Sequence, residues 1–529
     1  MSDEAAGFNG IDLETGLPIQ DALSDEDLGR LLLGLETRAW RDRREERELG
    51  GWHEKFTSPK VDRRPAADVD PLSLASSGWG VIFPKNLSPE IRENLQPLLD
   101  HRRGQATRWD KEFYKELVFE PGDTESKFAN RHGVKTGPVD PAKSLPYYLM
   151  IVGSPTEIPH EFQYLLDVQF GVGRLHFDDP EDYGRYARSV IGAERGRHRI
   201  RPETTFFSVA VDNTTRIMSS QFINVLSQSL QSNRPEWAFR NVSHGTKENL
   251  RRILGGPETP ALLLTAAHGL ACKKDDTQQR ACQGAILCQD WPSASKPCPE
   301  HYFSAADLDG EACVHGSIVF LFGCYSAGTP RLSNFPEVAR RAMSNRAHAP
   351  NLAPEPFISA LAQRLLAHPN GSALAVLGHV DRAWTRSFGG SAGRGFSHIE
   401  SLFKNLLDGH PVGSAMDWMH ERFAAQSTKL TSIMNPHGER READPAEVAR
   451  LWRANNDARN FVVLGDPAVR LAAGPRAALS GMSLLYDRAP ESRRPLKRVN
   501  WRQLLGRWEP EQVGGLSLAD AVRRLRSPQ

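Results

Sequence analysis

The chain reads as an open α/β sheet, mostly parallel, with helices on both faces. Three observations predict this. Short apolar runs recur through the middle of the chain, continuous rather than alternating, each closed by Gly, Asp or His. Continuous runs suit strands buried on both faces, as in parallel sheets. Segments of helical spacing lie between them, and alternating strand and helix signals mark an α/β layer architecture. No internal repeat of fixed period is present.

Taken in order, the runs cover residues 147–152, 205–211, 261–267, 317–322, 373–377 and 461–464. Helical spacing is found at 180–194, 219–231, 246–254, 356–368 and 397–407. These signals define a main domain over residues 145–472. Before it, residues 1–75 read as weakly ordered with one helix at 25–47, where Leu28, Leu31, Leu32 and Leu35 share a side. Residues 58–75 are a Pro-, Asp- and Ser-rich linker, and 76–144 a small mixed segment with a strand at 79–83 and a helix at 89–103. Residues 473–529 read as a partly helical basic tail.

Composition narrows the function. The chain has 529 residues, 39% hydrophobic and 25% charged, which suits a soluble globular protein. Lys plus Arg number 66 against 65 Asp plus Glu, a balance unlike that of a general nucleic-acid or polybasic membrane binder. No run approaches the roughly 18 to 20 apolar residues of a membrane span. The acidic start Met1-Ser2-Asp3-Glu4 has no apolar secretory core, so a cytoplasmic location is expected. Six cysteines are too sparse for a disulfide scaffold, yet all lie between Cys272 and Cys324.

Open α/β sheets place their chemistry just past the carboxyl ends of the strands. One buried run ends in His268-Gly269 and another in Gly323-Cys324. The chain between them is long enough for a connection and the next strand, so both side chains can emerge side by side. A neighbouring imidazole can take the proton of a thiol and later protonate a leaving amine. Gly269 lets a substrate backbone approach, and its N–H can join that of Cys324 as an oxyanion hole.

The order strand–His-Gly, then strand–Cys, resembles the caspase-like cysteine peptidases, a group that includes caspases, metacaspases, gingipains, separases and CHAT domains. The similarity is greatest to the gingipain and CHAT branches. It also includes Val172-Gly173-Arg174-Leu175, read as a Gly-Arg turn, with a helix carrying Tyr183 and Tyr186 after it. Thr265-Ala266-Ala267-His268-Gly269, Phe322-Gly323-Cys324-Tyr325-Ser326-Ala327-Gly328 and the closing Leu464-Gly465-Asp466-Pro467 complete it. The residues around Cys324 depart from the caspase pentapeptide. The resemblance implies a caspase-like, three-layer α/β/α peptidase. Cys324 would be the nucleophile and His268 the general acid/base, with a thioester acyl-enzyme and neither metal nor cofactor. It implies a protein substrate, an activating partner protein, and a regulated effector in signalling or prokaryotic defence.

Further residues support the site. Asp212 either orients His268, as an acidic residue does in gingipains, or caps a turn. Arg216 stands where caspases hold an acidic P1 side chain. Asp381 and Arg382 stand where the group builds its S1 pocket; an Asp suits basic P1 and an Arg suits acidic P1, so both specificities stay open. Trp384 walls a subsite or belongs to the core. His379 competes as the base, Asp290 reads as a turn residue, and Asp466 as a turn cap. Cys272, Cys282, Cys288 and Cys298 contain no Cys-x-x-Cys pair, so buried thiols are expected over zinc. Two other classes compete with the peptidase: a non-catalytic α/β scaffold with a degenerate site, and a zinc-stabilised interaction protein.

Overall fold

The apolar runs form strands, and most of the strands join one ten-stranded sheet. The computed structural model describes residues 10–18, 25–33, 65–66, 68–134, 137–197, 200–255, 258–333, 351–384, 396–434 and 443–473. The chain divides into Met1–Pro475 and Arg476–Gln529; the second unit, and the expected tail beyond 473, lie outside the described residues.

The first strands are β1 (Gly10–Asp12), β2 (Trp79–Pro84), β3 (Tyr114–Phe119), β4 (Tyr148–Val152) and β5 (Gly171–Leu175). Next come β6 (Arg201–Ser208), β7 (Ala238–Ser243), β8 (Pro260–Ala266), β9 (Gly269–Ala271), β10 (Ile286–Leu287) and β11 (Tyr302–Phe303). The last are β12 (Ile318–Phe322), β13 (Gly328–Thr329), β14 (Phe357–Ile358), β15 (Ala375–His379) and β16 (Phe461–Gly465). The helices used below are α1 (Asp25–Leu32), α2 (Pro89–Ala106), α3 (Pro180–Glu194), α4 (Ser397–Leu407), α5 (Asp417–Met434) and α6 (Pro445–Arg459).

The large sheet runs β3-β2-β4-β5-β16-β15-β12-β8-β6-β7. Its pairs are parallel except β15 with β16. Every residue of β4, β5, β8, β12, β15 and β16 is buried, so both faces of the sheet centre are covered, as the continuous runs predicted. The edge strand β7 mixes exposed and half-buried residues instead, with no residue fully buried. Helix starts obey local chemistry: Asp179 accepts the Glu181 N–H and Pro180 takes the first turn of α3. No helix among the described residues is long and apolar enough to cross a membrane.

Two details differ from the sequence reading. The sheet begins before residue 145: β2 pairs β4 and β3 pairs β2, so residues 76–144 extend the same sheet. And Gly173-Arg174 is no turn but the middle of β5, with Arg174 fully buried. Its guanidinium donates to Gln163 Oε1 at 3.0 Å and to the carbonyls of Gly153 and Pro159 at 3.1 Å each.

Strand β16 joins the two halves of the sheet, and the polar group at its end secures the seam. Asp466 accepts from Arg102 Nε of α2 at 2.6 Å, the Trp79 indole of β2 at 3.0 Å and the Ala468 N–H at 3.0 Å. It caps a turn, as its sequence suggested, and also ties α2 and β2 to β16.

Candidate active site

Strands β8 and β12 lie side by side in register, from Leu262 opposite Ile318 to Ala266 opposite Phe322. Two residues further on, the chains reach His268 and Cys324. Both are buried, at 1% and 0% exposure. Gly269 sits directly against this second chain: a Cβ on it would lie 2.0 Å from the Cys324 carbonyl oxygen. That approach is open to glycine alone.

Asp212 lies just past β6, the strand on the other side of β8. One carboxylate oxygen accepts the Thr215 N–H at 2.9 Å and its hydroxyl at 2.8 Å, capping the short helix Asn213–Ile217. The other lies 2.6 Å from His268 Nε2. The turn cap and the contact with His268 thus fall to different oxygens of one side chain. Burial opposes the charge on Asp212, but the hydrogen bond and charge of His268, with the Thr215 contacts, hold its carboxyl well below the usual range. With Nε2–H donated to Asp212, the lone pair of His268 resides on Nδ1. That nitrogen is buried without a hydrogen-bond partner.

The Cys324 thiol accepts the Ala383 N–H at 3.1 Å. It lies in an apolar cluster with Leu28 of α1, Trp384, Leu430 of α5, and Val448 and Trp452 of α6. Burial pushes the thiol pKa well above its ordinary value, with the Ala383 N–H and the Arg382 charge working against the rise.

The residues expected to bind substrate turn inward. Asp381, fully buried, accepts the Arg382 N–H at 2.8 Å and the Ser333 hydroxyl at 3.3 Å. Arg382, 3% exposed, donates from Nε to the Tyr325 hydroxyl at 3.2 Å. Trp384 donates its N–H to Asp457 of α6 at 3.0 Å, and the Arg453 guanidinium lies 5.2 Å over its ring. In this arrangement Asp381, Arg382 and Trp384 face protein rather than an open pocket. Arg216 differs: it is exposed and donates to the Asp212 carbonyl at 3.2 Å. An open polar cleft of about 240 Å³ lies elsewhere, lined by Ser154, His176, Asp178, Arg280, Glu355 and Gln363 among others.

The competing His379 ends β15 with Nε2 3.1 Å from the Asp457 carbonyl and Nδ1 3.3 Å from that of Asp381. Its ring packs edge-on against Phe461 at 4.7 Å. Asp290 accepts the Lys247 N–H at 2.6 Å. Of the loop cysteines, Cys282 faces the Tyr302 hydroxyl at 3.5 Å and Cys298 faces His301 Nδ1 at 3.3 Å. Among the described residues, no group of three or more His, Cys, Asp or Glu is placed to hold a metal ion.

Sequence reasoning missed Asp457, the Ala383 N–H and Leu28. A backbone donor leaves no mark in a sequence, and Asp457 reads as one more polar residue of a helix.

No family model matches the chain, and no curated protein matches it. Among solved structures it is similar to the Arg-specific cysteine proteinase gingipain R (RgpB), with a TM-score of 0.44 and 13% identity over 75% of this chain and 78% of that one. A structure described as a protease matches with a TM-score of 0.44 and 12% identity, over 75% and 80% of the two chains. The complex of Porphyromonas gingivalis RgpB pro- and mature domains gives 0.43 and 12%, over 74% and 79%.

Proposed function

We propose that the protein is a caspase-like cysteine endopeptidase acting on a protein substrate. The observation that carries this reading is the 2.6 Å contact of Asp212 with His268 Nε2, on the strand end beside Cys324. Asp212 fixes the imidazole tautomer and leaves Nδ1 as the base. Nδ1 takes the Cys324 proton, and the thiolate attacks the scissile carbonyl. The tetrahedral intermediate collapses to a thioester while Nδ1–H protonates the departing amine. A water, deprotonated by Nδ1, then hydrolyses the thioester and returns the proton to the thiol. The N–H groups of Gly269 and Cys324 are the donors for the oxyanion, and Asp381, Arg382 and Trp384, once released from their inward packing, form with Arg216 the side of the site nearest the P1 residue. A regulated cytoplasmic effector, working with an activating partner in signalling or defence, belongs to the same reading.

One observation favours a second reading. The thiol is fully buried and its pKa is raised, as in an inert core cysteine, which suits a scaffold with a degenerate site. A thiol-directed peptide electrophile, paired with a peptide-library digest, separates the two. The peptidase reading expects stoichiometric labelling of Cys324, lost in His268→Ala, and cleavage absent from Cys324→Ala. Slow, uniform labelling of all six thiols with no cleavage, persisting in a Gly29→Val variant that unseats the helix over Cys324, would establish the scaffold instead.

A further inference from the structure

The closure of Cys324 has an identifiable agent. The N-terminal segment meets the site at two places. At the first, β1 pairs parallel with β9, setting Gly10 opposite Gly269, the residue after His268. Ile11 is fully buried there, and the Leu13 N–H donates to the Ala271 carbonyl at 2.8 Å. Asp12 then turns the chain, its carboxylate accepting the Thr15 N–H and hydroxyl at 2.8 Å each. Glu14 pairs with Lys273, just past β9.

At the second place, α1 lies along α6. Leu28, 1% exposed, packs in the cluster that holds Cys324, Trp384 and Trp452. Gly29 rests against α6 so closely that a Cβ would fall 1.7 Å from the Pro445 carbonyl oxygen. Asp25 of α1 pairs with Arg453, whose guanidinium lies over Trp384. Ala383, the residue before Trp384, supplies the N–H that holds the thiol. A line of contacts therefore runs from α1 through Arg453 and Trp384 to Cys324.

The small sheet has the order β1-β9-β10-β11, so among the described residues β1 is the only strand on the outer edge of β9. Edge strands are the usual acceptors of an added extended peptide. We propose that the β9 edge and the adjoining face of α6 form a docking surface for a strand followed by a helix, filled in cis by residues 10–18 and 25–33, which thereby shut the Cys324 site. Displacing the segment uncovers the thiol and frees the β9 edge for an incoming protein strand. The proposal rests on the peptidase reading for its purpose and on the N-terminal contacts for its geometry.

The test uses the full chain. Ile11→Asp combined with Leu28→Asp removes both anchors; Gly29→Val unseats α1 by collision alone and serves should the first variant fold poorly. Iodoacetamide alkylation of each cysteine is tracked by mass spectrometry. The expected result is a rise of about tenfold or more in the rate at Cys324, as for a locally opened segment. Cys288, Cys298 and Cys313 should be unchanged in both variants; Cys272 and Cys282 pack in the cluster of Ile11, so they stay unchanged only in Gly29→Val. A synthetic peptide of residues 10–33 should reverse the effect. An unchanged Cys324 rate in folded Gly29→Val overturns the proposal, as does a parallel rise at all six thiols. Faster Cys324 alkylation with no peptide cleaved would keep the strap and discard the peptidase.

Discussion

The Tyr325 N–H donates to the Asp381 carbonyl at 2.8 Å, and both residues sit in the left-handed region, at φ of +58° and +70°. Among the described residues His244 and Ala294 are the other non-glycines at positive φ. Such conformations cost of order 1 kcal/mol or more and persist where the surroundings impose them. Here the bond joins the turn after β12 to the turn after β15. It brings Ala383 to the Cys324 thiol, so two strained peptides hold the candidate nucleophile in place.

Asp381 gives a direct test of that strain. Asp381→Gly and Asp381→Ala both remove the carboxylate that accepts from Arg382 and Ser333. Only glycine adopts positive φ without penalty. The alanine variant should be less stable than the glycine variant by about 1 kcal/mol, the reverse of their order at an ordinary site. Urea unfolding of the pair decides it; equal stabilities would mean the turn relaxes freely.

Asp212→Asn separates the two oxygens of that side chain. Asparagine caps a helix about as well as aspartate, so the melting temperature should move little. Toward His268 it can place an amide N–H against Nε2, which drives the ring proton to Nδ1 and removes the base. The expected loss in kcat on a cleavable peptide is about 100-fold or more, with KM nearly unchanged. A loss seen only in KM would assign Asp212 to substrate binding instead.

The strand ends were legible because a sheet buried on both faces writes continuous apolar runs, and the last residues of each run mark its carboxyl end. Those run ends mark His268, Cys324 and Asp212 as residues of one sheet edge. The surroundings were not legible. The helical spacing of Leu28 says that a face is apolar, not that it covers a cysteine some 300 residues later in the chain. Asp381 and Arg382 were expected at a pocket wall from the family resemblance, and Trp384 either there or in the core. Their inward partners, Ser333, Tyr325 and Asp457, are tertiary contacts with no local signal. The early start of the sheet was missed because the strand read at 79–83 shows its place only by pairing with β4, and β3, half exposed at the sheet edge, writes no continuous apolar run.

Arg102 carries the seam between the halves. Its guanidinium, 1% exposed, donates to Asp466 at 2.6 Å and to both oxygens of Glu194 on α3 at 2.6 and 2.9 Å. Arg102→Met leaves Asp466 charged in a site of 0% exposure, and breaking one side of a buried pair costs about 3 to 5 kcal/mol. Adding Asp466→Asn should recover part of that loss, since the stranded charge is gone while the Trp79 indole keeps an acceptor. Urea midpoints of the wild type and the two variants measure this. A loss below about 1 kcal/mol in the single variant would show that water reaches the seam.

Acid should weaken the fold through two histidines remote from the proposed chemistry. Burial lowers the pKa of His160 to about 3, helped by the Arg174 charge, and burial with the Arg422 charge lowers that of His398 to about 3. In the unfolded chain each titrates near 6.5. Between those values the unfolded state binds protons that the folded state refuses, so stability rises with pH across the window. It is fully present above about pH 6.5 and is lost as pH falls toward 3, at about 1.4 kcal/mol per pH unit for each ring. From pH 7.5 to 5.5 the two together should cost about 2 to 3 kcal/mol, before carboxylates begin to protonate. His132, His368 and His410 are shifted the same way by partial burial, so a remainder is expected when the first two are replaced. His160→Phe, which keeps a flat ring beside Tyr164, combined with His398→Leu should therefore reduce the pH slope by about half or more rather than abolish it. Urea unfolding at the two pH values reads the slope independently of any offset the substitutions bring, and an undiminished slope would place the acid sensitivity elsewhere.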